Sequence, residues 1–185
     1  MKKIVVITAS RRVNGNSRRM ADSFIKAAEA QGCQVTRFDA AGMKVEGCLA
    51  CGRCFSAGKA CAAVDDDFNK VADAIIAADG IVLVTPVYWY TFPAKIKLII
   101  DKFYSFCVAK KDFSGKKCAL IACCADEPPE TFDGIRFSYE HTMQLLNCES
   151  VDEILIPGVN KLGAIGDTDG EKRAAELAAR MFDQD

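Results

Sequence analysis

Lys3-Ile4-Val5-Val6-Ile7-Thr8-Ala9-Ser10-Arg11-Arg12-Val13-Asn14-Gly15-Asn16-Ser17 decides how this chain is read. From Ile4 to Ile7 it is an unbroken apolar run rich in β-branched residues, the pattern of a strand covered on both faces. A polar turn with one glycine follows. Asn16 or Ser17 can cap a helix that runs to about Gln31 and stops at Gly32. Strand, turn and helix make the first unit of a parallel sheet.

The unit recurs along the chain. Gln34 to Asp39, Ile81 to Thr85, Lys117 to Cys124 and Ser150 to Ile156 read as four more strands. Phe68 to Ala78, Pro93 through Phe106, Phe132 to Leu146 and Gly170 to Phe182 read as helices, with Asp65, Asp66 and Asp67 placed as a cap for the first of these. Strands alternating with helices predict an α/β fold with a parallel sheet covered on both faces and right-handed crossovers. No repeat, low-complexity tract or linker divides the 185 residues, so the chain is expected to be a single domain, 1–185, with a cysteine-rich insertion at about 42–64. In such sheets ligands bind beyond the carboxyl ends of the strands. The loops there are 9–17, 42–65, 86–93 and 125–131, and the unusual residues of the sequence lie in them.

Composition narrows the function classes. Half the residues are hydrophobic, and 24 basic against 25 acidic residues leave a net charge of -1. Without a basic excess to neutralise phosphates, nucleic acid is not expected as a partner. No apolar run reaches the ~18 residues of a membrane helix. The opening apolar run is too short for a signal peptide, and Arg11-Arg12 follow it. A cytoplasmic protein without membrane contact is expected. The ten cysteines then point to metal or redox work rather than disulfides.

The turn after the first strand can hold an anion. Free N–H groups at a helix start, Ser10, Asn16 and Ser17 as polar donors and the Arg12 guanidinium suit a phosphate, whereas a polar turn that only caps the helix is the plainer reading. It is neither a Walker loop nor GxGxxG. The run Ala9-Ser10-Arg11-Arg12-Val13-Asn14-Gly15-Asn16-Ser17 resembles the phosphate loop of the flavodoxin-like NADPH-dependent FMN reductases. The resemblance implies Ser10, Arg12, Asn16 and Ser17 as ligands of the FMN phosphate.

The loop after the third strand, Pro86-Val87-Tyr88-Trp89-Tyr90-Thr91-Phe92-Pro93, carries four aromatics between two prolines. A surface loop of this kind suits a flat ligand, with a hydrophobic plug or a dimer contact as the alternative. It resembles the stretch of the same family that lines the flavin ring and ribityl chain. The resemblance implies Pro86, Val87, Tyr88 and Trp89 as cofactor-binding residues, and adds Ala125 from the loop after the fourth strand. Lys97 is read as a snorkelling helix residue.

Cys48, Cys51, Cys54 and Cys61 form C-x2-C-x2-C-x6-C, four thiols within fourteen residues, among glycines that let the backbone fold tightly. Such a run can hold an iron–sulfur cluster, tetrahedral zinc, or no metal, in which case a thiol redox pair remains available. The pattern resembles the iron–sulfur flavoproteins, which implies a [4Fe–4S] cluster on these four residues. Cys118 reads as a small buried hydrophobe. Cys123 and Cys124 fall near the expected flavin edge. Cys33, Cys107 and Cys148 read as structural, His141 as a helix-surface residue, and Arg173 and Arg180 as a solvated face.

The resemblance extends from Ile4 to about Ile156. It implies a flavodoxin-like three-layer sandwich whose five-stranded parallel sheet has the order 2-1-3-4-5 with helices on both faces. It also implies an FMN-dependent oxidoreductase in which NAD(P)H reduces a small acceptor such as a flavin or quinone. The chemistry would sit on the flavin, so no catalytic side chain is assigned. The alternative is an iron–sulfur flavoprotein electron carrier passing electrons through FMN and the cluster to a redox protein. A flavin-binding regulator without turnover is a third class. Relatives often pair so that one subunit covers the other's flavin, and a homo-oligomer, dimer or tetramer, is expected.

Overall fold

A computed structural model describes residues 1–182. Five strands, β1 (Lys3–Thr8), β2 (Gln34–Asp39), β3 (Gly80–Pro86), β4 (Lys117–Cys123) and β5 (Glu149–Ile156), pair in parallel in the order β2-β1-β3-β4-β5. Among the described residues six α-helices connect or flank them: α1 (Asn16–Ala30), α2 (Phe68–Ala77), α3 (Ala94–Asp101), α4 (Tyr104–Val108), α5 (Asp133–Leu145) and α6 (Gly170–Arg180).

Alternation along the strands builds two cores. On one face Val5, Ile7, Ile81, Leu83 and Leu120 pack with Phe68 of α2, Ile96 of α3 and Tyr139 of α5. On the other, Ile4, Val6, Val82, Val84 and Ile121 pack with Phe24 of α1 and Leu177 of α6. Each face is closed by helices, which is why β1, β3 and β4 read as continuous apolar runs. Burying one such side chain contributes about 1.5–3 kcal/mol, so this double core is the main source of stability. Cys118 lies fully inside it.

Three local expectations are corrected. Neither Asn16 nor Ser17 caps α1. Gly15, in extended backbone, is the capping position and no side chain closes the helix start. The helix expected from Pro93 through Phe106 is two helices. The chain tightens into three-residue turns at Lys102 and Phe103, with Lys102 N–H donating to Ile99 O (3.1 Å) and Phe103 N–H to Ile100 O (2.9 Å). The tightened turn carries the Lys102 ammonium inward to the Asp66 carboxylate, a pair only 2% and 5% exposed. The Asp65–Asp67 run therefore does more than cap α2. Asp66 accepts from Phe68 N–H (3.0 Å), Glu46 N–H (2.8 Å) and Lys102, and Asp67 accepts from Lys44 N–H (2.9 Å). These bonds hold both ends of the cysteine loop. No helix among the described residues is long and apolar enough to cross a membrane.

Candidate functional site

A cleft opens at the carboxyl ends of β1, β3 and β4, beside the point where the strand order reverses. It is made of two adjoining hollows of about 220 and 240 Å³ that share Val87, Cys124 and Ala125. Together they fall within the range of small-molecule sites, ~300–1,000 Å³.

Ser10, Arg12, Asn16, Ser17, Pro86, Val87, Tyr88 and Ala125 meet in the first hollow. Trp89 lines the second, with Tyr90, Asp126 and Thr131. The nine residues singled out for cofactor binding thus converge on one cleft from three loops. Val159 and Asn160, also on its wall, went unnoticed. Their signal was the irregular Pro157-Gly158-Val159-Asn160 turn after β5, a fourth loop at the same end of the sheet.

The loop between β1 and α1 is drawn tight. Arg12 N–H donates to Ser10 Oγ (3.3 Å) and Gly15 N–H to Arg12 O (3.0 Å). A Cβ on Gly15 would lie 2.9 Å from Ser10 Oγ, which can rotate away, and 3.1 Å from the Arg12 carbonyl oxygen, which is backbone, so glycine lets the loop close with the least adjustment. The start of α1 holds no side-chain cap and no acidic residue in its first turn. Its free N–H groups and the positive end of the helix are therefore left uncompensated by the helix's own side chains at the edge of the cleft. The Arg12 guanidinium beside them is exposed and, among the described residues, has no carboxylate partner. An uncapped helix start with an unpaired arginine is a phosphate-shaped arrangement.

Asn16 has a different task from the one its position suggested. Its side-chain amide donates to Val159 O (2.8 Å) and Lys161 O (3.0 Å), and its Oδ1 accepts from Ile165 N–H (3.3 Å). The side chain is occupied in bracing the β5–α6 connection, and what Asn16 offers the cleft is its backbone.

The floor carries two thiols. Burial, and then neighbouring Cys124, push the Cys123 thiol up to about 12, with the Ser17 backbone N–H acting weakly the other way. Burial and Asp126 also raise Cys124. Both are neutral thiols near pH 7, so they pack against a ligand rather than attack it.

The wall between β3 and α3 is a strained turn. Tyr88 N–H donates to Thr91 O (3.0 Å) and Thr91 N–H to Tyr88 O (3.1 Å), closing a two-residue hairpin. Both central residues are left-handed, Trp89 at φ 49° and Tyr90 at φ 64°. Glycine or asparagine normally fills such positions, and each L-residue there costs roughly 1–2 kcal/mol. Trp89 is 92% exposed.

The cysteine loop forms a second, separate pocket. Cys48, Cys51, Cys54 and Cys61 all line it, with Lys102, Tyr104 and Ser105 on the opposite wall. Hydrogen bonds from the Arg53 backbone and then its guanidinium lower the Cys51 thiol. Burial raises Cys54, reinforced by the charges of Cys48, Cys51 and Cys61 around it. The Ser105 hydroxyl is buried there without a hydrogen-bond partner. Among the described residues, no three ligand side chains converge as a single metal ion requires. The enclosed space is about 30 Å³, room for a water-sized body. His141 is remote from both pockets, stacked on Phe137 at 4.1 Å on the surface of α5.

The profile of the NADPH-dependent FMN reductase family matches residues 2–128. An iron–sulfur flavoprotein of Archaeoglobus fulgidus is 30% identical over 100 residues, 54% of this chain and 44% of that protein. One from Methanosarcina thermophila is 29% identical over 114 residues, 62% of this chain and 58% of that protein. The chain thus spans about half the length of the curated relatives it matches. Among solved structures, a putative quinone reductase from Klebsiella pneumoniae superimposes with a TM-score of 0.77 at 17% identity, covering 99% of this chain and 86% of its own, which is a likeness of fold.

Proposed function

Since the chain belongs to the NADPH-dependent FMN reductase family, and so to the flavin-dependent oxidoreductases, we propose that the cleft holds FMN and that a nicotinamide donor reduces a small acceptor there. The uncapped, unneutralised start of α1 beside Arg12 is the observation that carries this reading.

In it, Ser10, Arg12, Ser17 and the Asn16 backbone hold the phosphate. Pro86, Val87, Tyr88, Trp89 and Ala125 line the ribityl chain and ring. Bound flavin supplies hydride acceptance and single-electron release, which needs no side-chain acid or base. The chain's own residues then bind, orient and exclude water. Arg12 fixes the dianion at one end, the β3–α3 turn walls the other, and the buried thiols of Cys123 and Cys124 keep the floor apolar and unreactive.

The test is direct. Purified protein is titrated with FMN, then mixed anaerobically with NADH or NADPH while flavin absorbance is followed. Tight FMN binding with fast bleaching supports the reading. FMN that is not bound at low salt overturns it.

A second reading, an electron carrier with a [4Fe–4S] cluster, is favoured by four thiols lining one pocket and by the kind of relatives matched. The donor set fits a cluster in kind. The enclosed volume does not, so uptake requires the loop to spread around it. Counting iron and sulfide after anaerobic reconstitution decides: about four of each per chain supports the carrier, and none returns the loop to a metal-free role.

A further inference from the structure

We infer that Gly134 is the positioning residue for the aromatic turn, and through it for the ring-side wall of the cleft. The turn places Trp89 and Tyr90 in left-handed backbone that neither residue favours. Such strain persists only where the surroundings over-determine it. Its own two hydrogen bonds close the hairpin but do not fix where it sits. What seats it lies directly against the Tyr90 carbonyl, in the first turn of α5. A Cβ on Gly134 would stand 2.4 Å from the Tyr90 carbonyl oxygen and 3.3 Å from the Tyr90 carbonyl carbon. The obstacle is backbone, so it cannot swing aside as a side-chain tip would. Glycine is otherwise a poor residue inside a helix, and alanine would suit α5 better on propensity alone. Its presence is accounted for by clearance. The bare Cα lets α5 advance until the Tyr90 carbonyl rests on it, and the turn is held against the hollow that Trp89, Tyr90 and Thr131 line.

The link to function rests on the proposed flavin reading, but the contact can be tested apart from it. Trp89 is the only tryptophan in the chain, so its fluorescence reports the turn alone. Gly134→Ala is compared with the parent protein, with far-UV circular dichroism checking the fold. In the flavin-free parent the exposed Trp89 ring reorients about its own side-chain bonds, so time-resolved anisotropy should show a small fast component beneath the tumbling of the whole molecule. In Gly134→Ala the amplitude of that fast component should rise clearly. Riboflavin and FMN should each bind at least tenfold more weakly to the variant, while inorganic phosphate, which needs only the Arg12 end, competes equally well in both. A purely structural role would weaken phosphate as well.

A fast component that already takes up most of the Trp89 anisotropy in the parent overturns the inference whether or not the variant folds. So does a variant whose anisotropy and riboflavin affinity match the parent's. If the parent binds no flavin, the cofactor reading fails. The anisotropy difference then still decides whether Gly134 seats the turn.

Discussion

The cofactor cleft and the cysteine pocket are built in opposite ways. The cleft is framed by strand ends: Thr8, Pro86 and Cys123 close three neighbouring strands, and the parallel register carries their loops to one place. The cysteine loop has no ladder to place it. It is held by individual side chains, Asp66 and Asp67 at its ends, Asn69 bonded to both the N–H and the C=O of Cys61, and Lys102 behind. Residues placed by a sheet keep their positions when one contact is lost. Residues placed by clamps depend on each clamp.

The largest test of that contrast is Lys102→Met. It strands the Asp66 carboxylate in a buried setting, and removing one partner of such a pair costs about 3–5 kcal/mol. Denaturant unfolding should show the loss, and Asp66→Asn in the same chain should recover part of it. A variant as stable as the parent would mean that the clamp does not hold the loop.

At the cleft, Arg12→Ala should leave stability unchanged and weaken FMN binding by about 1.5–3 kcal/mol, the worth of a hydrogen bond to a charged group. Equilibrium titration measures it. Equal affinity would remove Arg12 from the site.

The smallest effect concerns the thiols, and its sign differs between the regions. Cys51 is lowered by Arg53, so more of it is thiolate near neutrality, whereas Cys123 stays protonated until about 12. Alkylation at pH 7.5, read by peptide mass spectrometry, should mark Cys51 well before Cys123. Cys123 also gives a pH signature. Between the ordinary thiol value of 9.0 and about 12 the unfolded chain has released this proton and the folded chain has not, so the stability attached to it falls as pH rises through that window. Cys123→Ala should flatten that part of the curve.

The sequence made the sheet legible because Ile4 to Ile7 and Ile81 to Val84 are buried on both faces and leave a continuous apolar trace. The cleft was legible for the same reason, since topology alone brings the carboxyl-end loops together. What escaped notice depends on contacts between distant, non-periodic residues. Nothing around Lys102 announces that Asp66, 36 positions earlier, will draw it inward and break the helix. Nothing around Gly134 announces the Tyr90 carbonyl. Asn16 was misjudged because a helix-start asparagine is ordinarily a cap, while its real partners lie 143 to 149 residues away.

That brace sets an order of events during synthesis. A nascent chain extended as far as Ile156 already contains every strand, yet Asn16 still lacks Val159, Lys161 and Ile165. The loop after β1 is therefore completed only by a segment made after the whole sheet.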